Sequence, residues 1–358
     1  MNPGIVAAGL SHSLLVSPDS NVYEFGELVL GISTTPKIIS GLPPIFSAAA
    51  GRQFSLFVDH DGNAWGMGHS LYGQLGIFAQ QCIEPHQIKF EEDVKIKMAA
   101  ASRNYFSVFL DEDGSVWTCG SNTYGQLGLG HFNKQAKPTK IQNIPKICSV
   151  SAGYYHTLLL DENGEVWTCG HNQCGQLGRP EKDKRADVSK MPSPVKFKSV
   201  SAGNFHSMFL DVEGRVRGCG HNHNASLALR HTNTVDSVDV WQENVKIGFI
   251  SAGSYRTLLI DEEGGVWYAG KNVKEESEYV FDPHMLNKVP EISGCAYVSS
   301  CESHQLVVDT EGQVWVWGNN KKGQLGLGHK NSEYLPVLNG SLPSMIRTFH
   351  RTKSARNT

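Results

Sequence analysis

Residues 151–170 read Ser-Ala-Gly-Tyr-Tyr-His-Thr-Leu-Leu-Leu-Asp-Glu-Asn-Gly-Glu-Val-Trp-Thr-Cys-Gly. Leu158, Leu159 and Leu160 form one short apolar strand, and Glu165, Val166 and Trp167 form another. Between them lies Asp161-Glu162-Asn163-Gly164, a tight hairpin turn whose glycine is free to take positive φ. The same frame closes at Gly26, Gly68, Gly120, Gly220, Gly270 and Gly318. In each copy the residue nine positions earlier is Asp59, Asp111, Asp161, Asp211, Asp261 or Asp309, with Ser17 in the first copy. Seven copies at a period of about 50 residues, with one shorter interval between the first two, are a repeat architecture.

Each copy parses into four strands. Ile147-Cys148-Ser149-Val150 precedes the hairpin, and Pro138-Thr139-Lys140-Ile141 closes the preceding copy with proline at the strand start, where no ladder donor is lost. Short four-stranded repeats that cannot bury a face alone fit the blades of a propeller, which hides its sheet edges around a ring. The expected fold is therefore all-β: a seven-bladed β-propeller of four-stranded antiparallel blades over residues 1–345. Residues 346–358 are expected to be a short basic tail. With strands named a to d, alternation places the b–c turns and d–a connections on one face. The a–b and c–d loops share the other.

Composition narrows the function. The chain has 358 residues, 40% of them hydrophobic, and a net charge of −3. That is enough apolar residue for a sizeable core and no global pull toward nucleic acid or anionic membrane. No segment approaches the continuous apolar length of a membrane span, and Met1-Asn2-Pro3-Gly4 does not open a signal peptide. Three of the eight cysteines, Cys119, Cys169 and Cys219, share one repeat phase, which reads as small buried side chains rather than a disulfide framework. A reducing cytoplasm or nucleus is expected. No nucleophile elbow and no phosphate loop is present, so no cofactor and no covalent catalysis are expected.

Gly125-Gln126-Leu127-Gly128 follows strand c and recurs at 73–76, 175–178 and 323–326. Together with Ala-Gly-x-x-His-Thr upstream and Val-Trp-x-x-Gly between, this pattern resembles the regulator of chromosome condensation repeat family over about residues 4–345. Kelch repeats carry a glycine doublet that this chain lacks at the matching phase, and WD repeats are shorter and need a Trp-Asp ending that is absent. The resemblance implies seven blades with the two chain ends pairing at the closure: Ile5-Val6-Ala7-Ala8 as the first a strand, and Tyr334 to Leu338 as the last d strand. Met345-Ile346-Arg347 mimics a further a strand. The resemblance also implies guanine-nucleotide exchange on the small GTPase Ran and chromatin docking. In exchange-active members the GTPase face uses acidic and histidine residues of the a–b loops and an inserted β-wedge. The matching positions here hold Glu302 as the acid. No blade is lengthened for a wedge, and no basic N-terminal arm is expected.

Several repeated polar residues read as structure. His12, His156, His206 and His304 share one position that Phe54, Phe106 and Arg256 fill elsewhere, so packing plus a hydrogen bond is expected rather than metal binding. Trp65, Trp117, Trp167, Trp267 and Trp315 read as core. The acidic b–c turns are too short for a calcium loop and read as a solvated rim.

The two a–b loop residues before the histidine position are not fixed by the repeat. They are Leu10-Ser11, Arg52-Gln53, Asn104-Tyr105, Tyr154-Tyr155, Asn204-Phe205, Ser254-Tyr255 and Glu302-Ser303. Tyrosine and arginine are enriched in protein hot spots. The expected partner-binding set is therefore Arg52, Tyr105, Tyr154, Tyr155, Asn204, Phe205, Tyr255 and Glu302, joined by the c–d histidines His69, His171 and His221. The partner is expected to be a protein, with a small GTPase as the family's candidate. Two c–d segments depart from the repeat, at Ala225-Ser226-Leu227-Ala228 and over residues 271–289. The segment 182–198, with Lys182, Lys184, Arg185, Lys190, Lys196 and Lys198, is a secondary candidate for nucleic acid or chromatin. A monomer is expected.

Overall fold

The computed structural model describes residues 5–227, 229, 231–240, 245–270, 286–290, 292–301 and 303–345. They form seven four-stranded antiparallel sheets, each made of four consecutive strands, at 6–38, 45–87, 96–140, 147–190, 197–240, 247–288 and 295–338. These are blades 1 to 7 of the expected propeller.

Blade 4 shows the logic. Strand b, His156–Asp161, is buried along its whole length because neighbouring blades cover both of its faces. It pairs with strand a, Ile147–Ala152, and strand c, Val166–His171, in the register Leu159↔Trp167 and Leu160↔Val166. Asp161 then fixes the hairpin. Its Oδ1 accepts the Asn163 and Glu165 amides at 2.9 and 2.8 Å, and its Oδ2 accepts the Trp167 indole N–H at 3.0 Å. The same indole bond recurs from Trp65 to Asp59, Trp117 to Asp111, Trp267 to Asp261 and Trp315 to Asp309. In these five turns the first acid is thus an internal cap for an otherwise unpaired indole rather than part of a solvated rim, and in blade 5 Asp211 instead holds Arg217.

Apolar clusters sit between blades. Val108, Leu110, Leu127 and Ile141 of blade 3 pack on Ile147, Val150 and Leu159 of blade 4. Each fully buried leucine contributes about 1.5–3 kcal/mol. Polar bonds join the blades too. His156 Nε2 lies 2.9 Å from Ser207 Oγ, His12 Nε2 3.1 Å from Ser55 Oγ and His304 Nε2 2.8 Å from Ser13 Oγ. The packing-plus-hydrogen-bond reading of these histidines agrees with this. In five joints a Ser or Thr hydroxyl also donates to a backbone carbonyl in the c–d loop of the preceding blade. Thr157 reaches the Gln126 carbonyl at 2.6 Å, and Ser107, Ser207, Thr257 and Ser13 reach those of Gln74, Gln176, Ser226 and Gln324. The drifted motif at Ala225 keeps its place: Leu227 is buried and Ser226 still supplies its carbonyl. Ala228 lies outside the described residues, as does most of 271–289.

At the closure, the first and last strands do not share a ladder: Val6–Ala8 pairs within blade 1 and Glu333–Leu338 within blade 7. The chain ends meet through Met345 instead. Its amide donates to the Gly312 carbonyl at 2.7 Å, the bond that Ile147 makes to Gly114. Its side chain is buried with Ile5, Val6, Phe25 and Leu306. Ile346, Arg347 and the expected tail lie outside the described residues.

Candidate functional site

The a–b loops converge where the central channel opens. Six of the expected residues form one connected group. Tyr154 and Tyr155 meet edge to face with centroids 4.5 Å apart, and Phe205 stacks on Tyr154 at 5.7 Å. His171 packs against Tyr155 at 6.0 Å. Arg52 bridges to blade 3, donating from Nη1 to the Tyr154 hydroxyl at 3.3 Å while its guanidinium lies 5.3 Å over the Tyr105 ring. Tyr105 has φ of 61°, a left-handed backbone that a bulky residue adopts only when its surroundings hold it there.

Two members were missed. Tyr72 stacks on Tyr105 at 5.0 Å, and Tyr124 packs on Tyr155 at 4.4 Å and on His171 at 4.9 Å. Both come from c–d loops, at the residue just before the Gly-Gln-Leu-Gly motif. That position varies among the copies as freely as the a–b pairs do, so the same signal was available there. Tyr105, Tyr154, Tyr155, Phe205 and Tyr124 are half-buried and Tyr72 is exposed, so the rings rest on one another while presenting edges to solvent.

The other expected residues fall elsewhere. Tyr255 is exposed and pairs loosely with His221 at 6.5 Å, which stacks on His223. His69 lines a separate cavity between blades 1 and 2. Asn204 is buried beneath the face, holding Arg103 Nη1 at 3.4 Å. Glu302 lies outside the described residues.

Beneath the rings, Arg103 crosses the channel from blade 3. Its Nη2 donates to the Ser300 carbonyl at 2.8 Å and to the Ala252 carbonyl at 3.5 Å, and its Nε lies 3.0 Å from Cys301 Sγ. At the other end of the channel a cavity of ≈ 470 Å³ is lined by strand a residues, Lys97, Ser149 and Lys198 among them.

Electrostatically the face is aromatic and neutral around Arg52. Burial pushes the His171 imidazole below its ordinary value, against the hydrogen bond it donates to the Gln173 side-chain oxygen, which raises it. Burial, with His223 nearby, lowers His221. Burial first, then Tyr154 and Tyr124, raise the Tyr155 phenol, so it stays protonated and available to donate. Among the described residues no group of three or more His, Cys, Asp or Glu is placed to hold a metal ion. The eight cysteines are free, and burial pushes the Cys119 and Cys169 thiols up to about 12.

The model of the RCC1-like domain matches residues 32–352. The chain belongs to that family. As an RCC1-like propeller it is similar to the Homo sapiens probable E3 ubiquitin-protein ligase HERC6, 32% identical over 162 residues, or 41% of this chain and 16% of that protein. It is also similar to the Xenopus laevis regulator of chromosome condensation, 34% identical over 106 residues, or 29% of this chain and 25% of that protein. The matched stretches thus span a quarter or less of these relatives. Two solved structures share the fold at 21% identity. Human WBSCR16 has a TM-score of 0.81, covering 88% of this chain and 86% of that one. Saccharomyces cerevisiae Prp20p, described with its binding properties to Gsp1p and histones, has a TM-score of 0.78 with 93% and 92% covered.

The basic segment 182–198 is largely matched by acids. Lys182 pairs with Asp236, Lys190 and Lys196 with Glu165 at 2.7 and 2.5 Å, and Arg185 with Asp183 at 3.3 Å. Among the described residues no helix is long and apolar enough to cross a membrane.

Proposed function

We propose that this RCC1-like propeller is a non-catalytic protein-interaction platform, and that its a–b/c–d loop face binds a protein partner. One observation carries the reading: Arg52, Tyr105, Tyr154, Tyr155, Phe205 and His171, from four blades, form one half-exposed group. Rigid aromatic rings beside an arginine give large contact area at small entropic cost, the composition of an interface hot spot. The partner acts in the cytoplasm, the nucleus or both, and the chain serves as a monomer.

The test is capture of partners from the native cell by the protein and by a Tyr154→Ala, Tyr155→Ala, Phe205→Ala variant. The variant is expected to lose its partner while its thermal midpoint stays nearly unchanged. A collapse of the fold would return these rings to the core and remove the reading.

A second reading is guanine-nucleotide exchange on a Ran-like GTPase, favoured by the fold shared with Prp20p, whose structure is described with binding to Gsp1p. Release of labelled GDP from a GTPase panel tests it, and no acceleration at micromolar protein would remove it. Chromatin or nucleic-acid association through segment 182–198 is the weaker alternative, because its cations already face Glu165, Asp183 and Asp236. A steep salt dependence, lost when its lysines become glutamate, is what that reading requires.

A further inference from the structure

Blade 1 lacks the c–d loop that five other joints use. Its c and d strands, Val22–Leu28 and Gly31–Ile38, are joined by a two-residue turn, with Leu28 opposite Gly31. This turn accounts for the short first interval of the repeat. Elsewhere the loop does two things: it buries a leucine (Leu75, Leu127, Leu177, Leu227 or Leu325) between blades, and it offers a carbonyl to the next blade. Its glycine also sits against the next d strand; a Cβ on Gly73 or Gly125 would lie 2.5 Å from Ala136 or Ala186 Cα.

Between blades 1 and 2 that loop-shaped space is open. A cavity of ≈ 60 Å³ lined by Glu24, Glu27, Ser55, Met67, Gly68 and His69 shares Glu24, Leu28, Val29 and Met67 with an outer groove of ≈ 340 Å³. Three features point to what fills it. Ser55 is buried and keeps its bond to His12, but it lacks the loop carbonyl that Ser107, Thr157 and Ser207 each reach in their joints. Ile83, matching Ala136 and Ala186 on the d strand, is 53% exposed, and Leu30 at the turn is 81% exposed. Glu24 faces the notch from the strand c position at which, in blade 3, Thr118 bonds the Leu127 carbonyl of its own loop. Burial raises its carboxyl to about 7 against the lowering by Lys37, which leaves it short of a full counter-charge.

We infer that the notch between blades 1 and 2 is a docking site for a loop of a protein partner that carries a basic side chain next to an apolar one. The partner's backbone carbonyl takes the Ser55 hydroxyl, its cation faces Glu24, since Glu27 already pairs with Lys322 at 2.9 Å, and its apolar side chain covers Ile83 and Leu30. This site stands apart from the aromatic group on blades 2 to 5.

The probe is a blocked peptide, Tyr-Gly-Arg-Leu-Gly-Leu, patterned on the chain's own loop, titrated into protein with labelled methyl groups. Saturable shifts of the Met67 and Ile83 methyls are expected. Binding should weaken about tenfold or more when the peptide arginine becomes glutamate, and comparably in the Glu24→Gln protein. Ile83→Glu, at an exposed position, should weaken binding without changing the thermal midpoint and serves if Glu24→Gln does not fold. No saturable shift, or equal binding of the arginine and glutamate peptides, overturns the proposal. So does tighter binding after Arg351→Ser, Lys353→Ser and Arg356→Ser, because the chain's own C-terminal residues would then be the occupant.

Discussion

Arg103 Nε lies 3.0 Å from Cys301 Sγ, and these two residues replace the glycine that the other five copies place before the a–b pair. At four of those five glycines a Cβ would crowd the ring that follows the loop; at Gly153 it would come within 2.3 Å of His156, whereas at Gly253 it would meet the Cys301 carbonyl. The two exceptions meet across the channel, so the break in the pattern in blade 3 is matched by the break in blade 7. Arg103 also ties down the Ser300 and Ala252 carbonyls and Asn204. Arg103→Met is expected to destabilise the protein by ~2–4 kcal/mol, because buried carbonyls lose a charged donor. Arg103→Lys, with a single compact donor head, should recover only part of this. Denaturant midpoints check both, and a loss under ~0.5 kcal/mol would show that the strut is dispensable.

The shared histidines make stability depend on pH. Burial pushes His12 down to about 4 and His156, His206 and His304 down to about 3, from an ordinary 6.5. Below pH 6.5 the unfolded chain takes up protons that the folded chain refuses, so stability falls with pH from 6.5 towards the folded values. Each such histidine contributes a slope of about 1.4 kcal/mol per pH unit. His156→Phe, which copies the residue at Phe54 and Phe106, should flatten the profile by one proton whatever it does to absolute stability. An unchanged slope between pH 6 and 4.5 counts against it.

Ala225 stands at φ of 55°, where the matching Gly73, Gly125, Gly175 and Gly323 also take positive φ. An L-residue there costs about 1 kcal/mol, so Ala225→Gly is expected to raise stability by that amount. Thermal and chemical midpoints should both move up; a drop would mean that the Ala225 methyl packs usefully.

Asp161→Asn is expected to cost ~1–3 kcal/mol, since the amide N–H₂ would face the Trp167 indole N–H, donor against donor. Trp167→Phe removes that conflict. The double variant should therefore lose less than the sum of the singles, and strict additivity would deny the bond its role.

The propeller was legible because its determinants are local and repeated: turn glycine, capping aspartate and buried strand b recur in one frame. The nine-residue spacing from Asp161 to Gly170 already held the indole bond, although Asp161 looked like one more solvated acid until its burial was seen. The aromatic face was half legible. Tyr154, Tyr155 and Phe205 stood out as unfixed positions, whereas Tyr72 and Tyr124 escaped because the conserved-looking motif beside them drew the eye. Asn204 and His69 could not be sorted by sequence, since whether a loop residue points to solvent, into the channel or between blades depends on contacts across the ring. Met345 was visible as mimicry of an a strand but not as the closure, which was expected at Ile5-Val6-Ala7-Ala8 and Tyr334 to Leu338; its burial came from packing between the two ends.

The joint between blades 7 and 1, which no peptide connection spans, keeps its full fastening: Ser13 reaches both His304 and the Gln324 carbonyl. One joint that lacks the carbonyl fastening, between blades 1 and 2, is one the polypeptide itself crosses. At these two joints covalent continuity and non-covalent stitching are thus complementary. A circular permutant that fuses the old ends and is cut at a fastened joint should hold together, whereas one cut between blades 1 and 2 would set both deficits on a single seam and spring open there first.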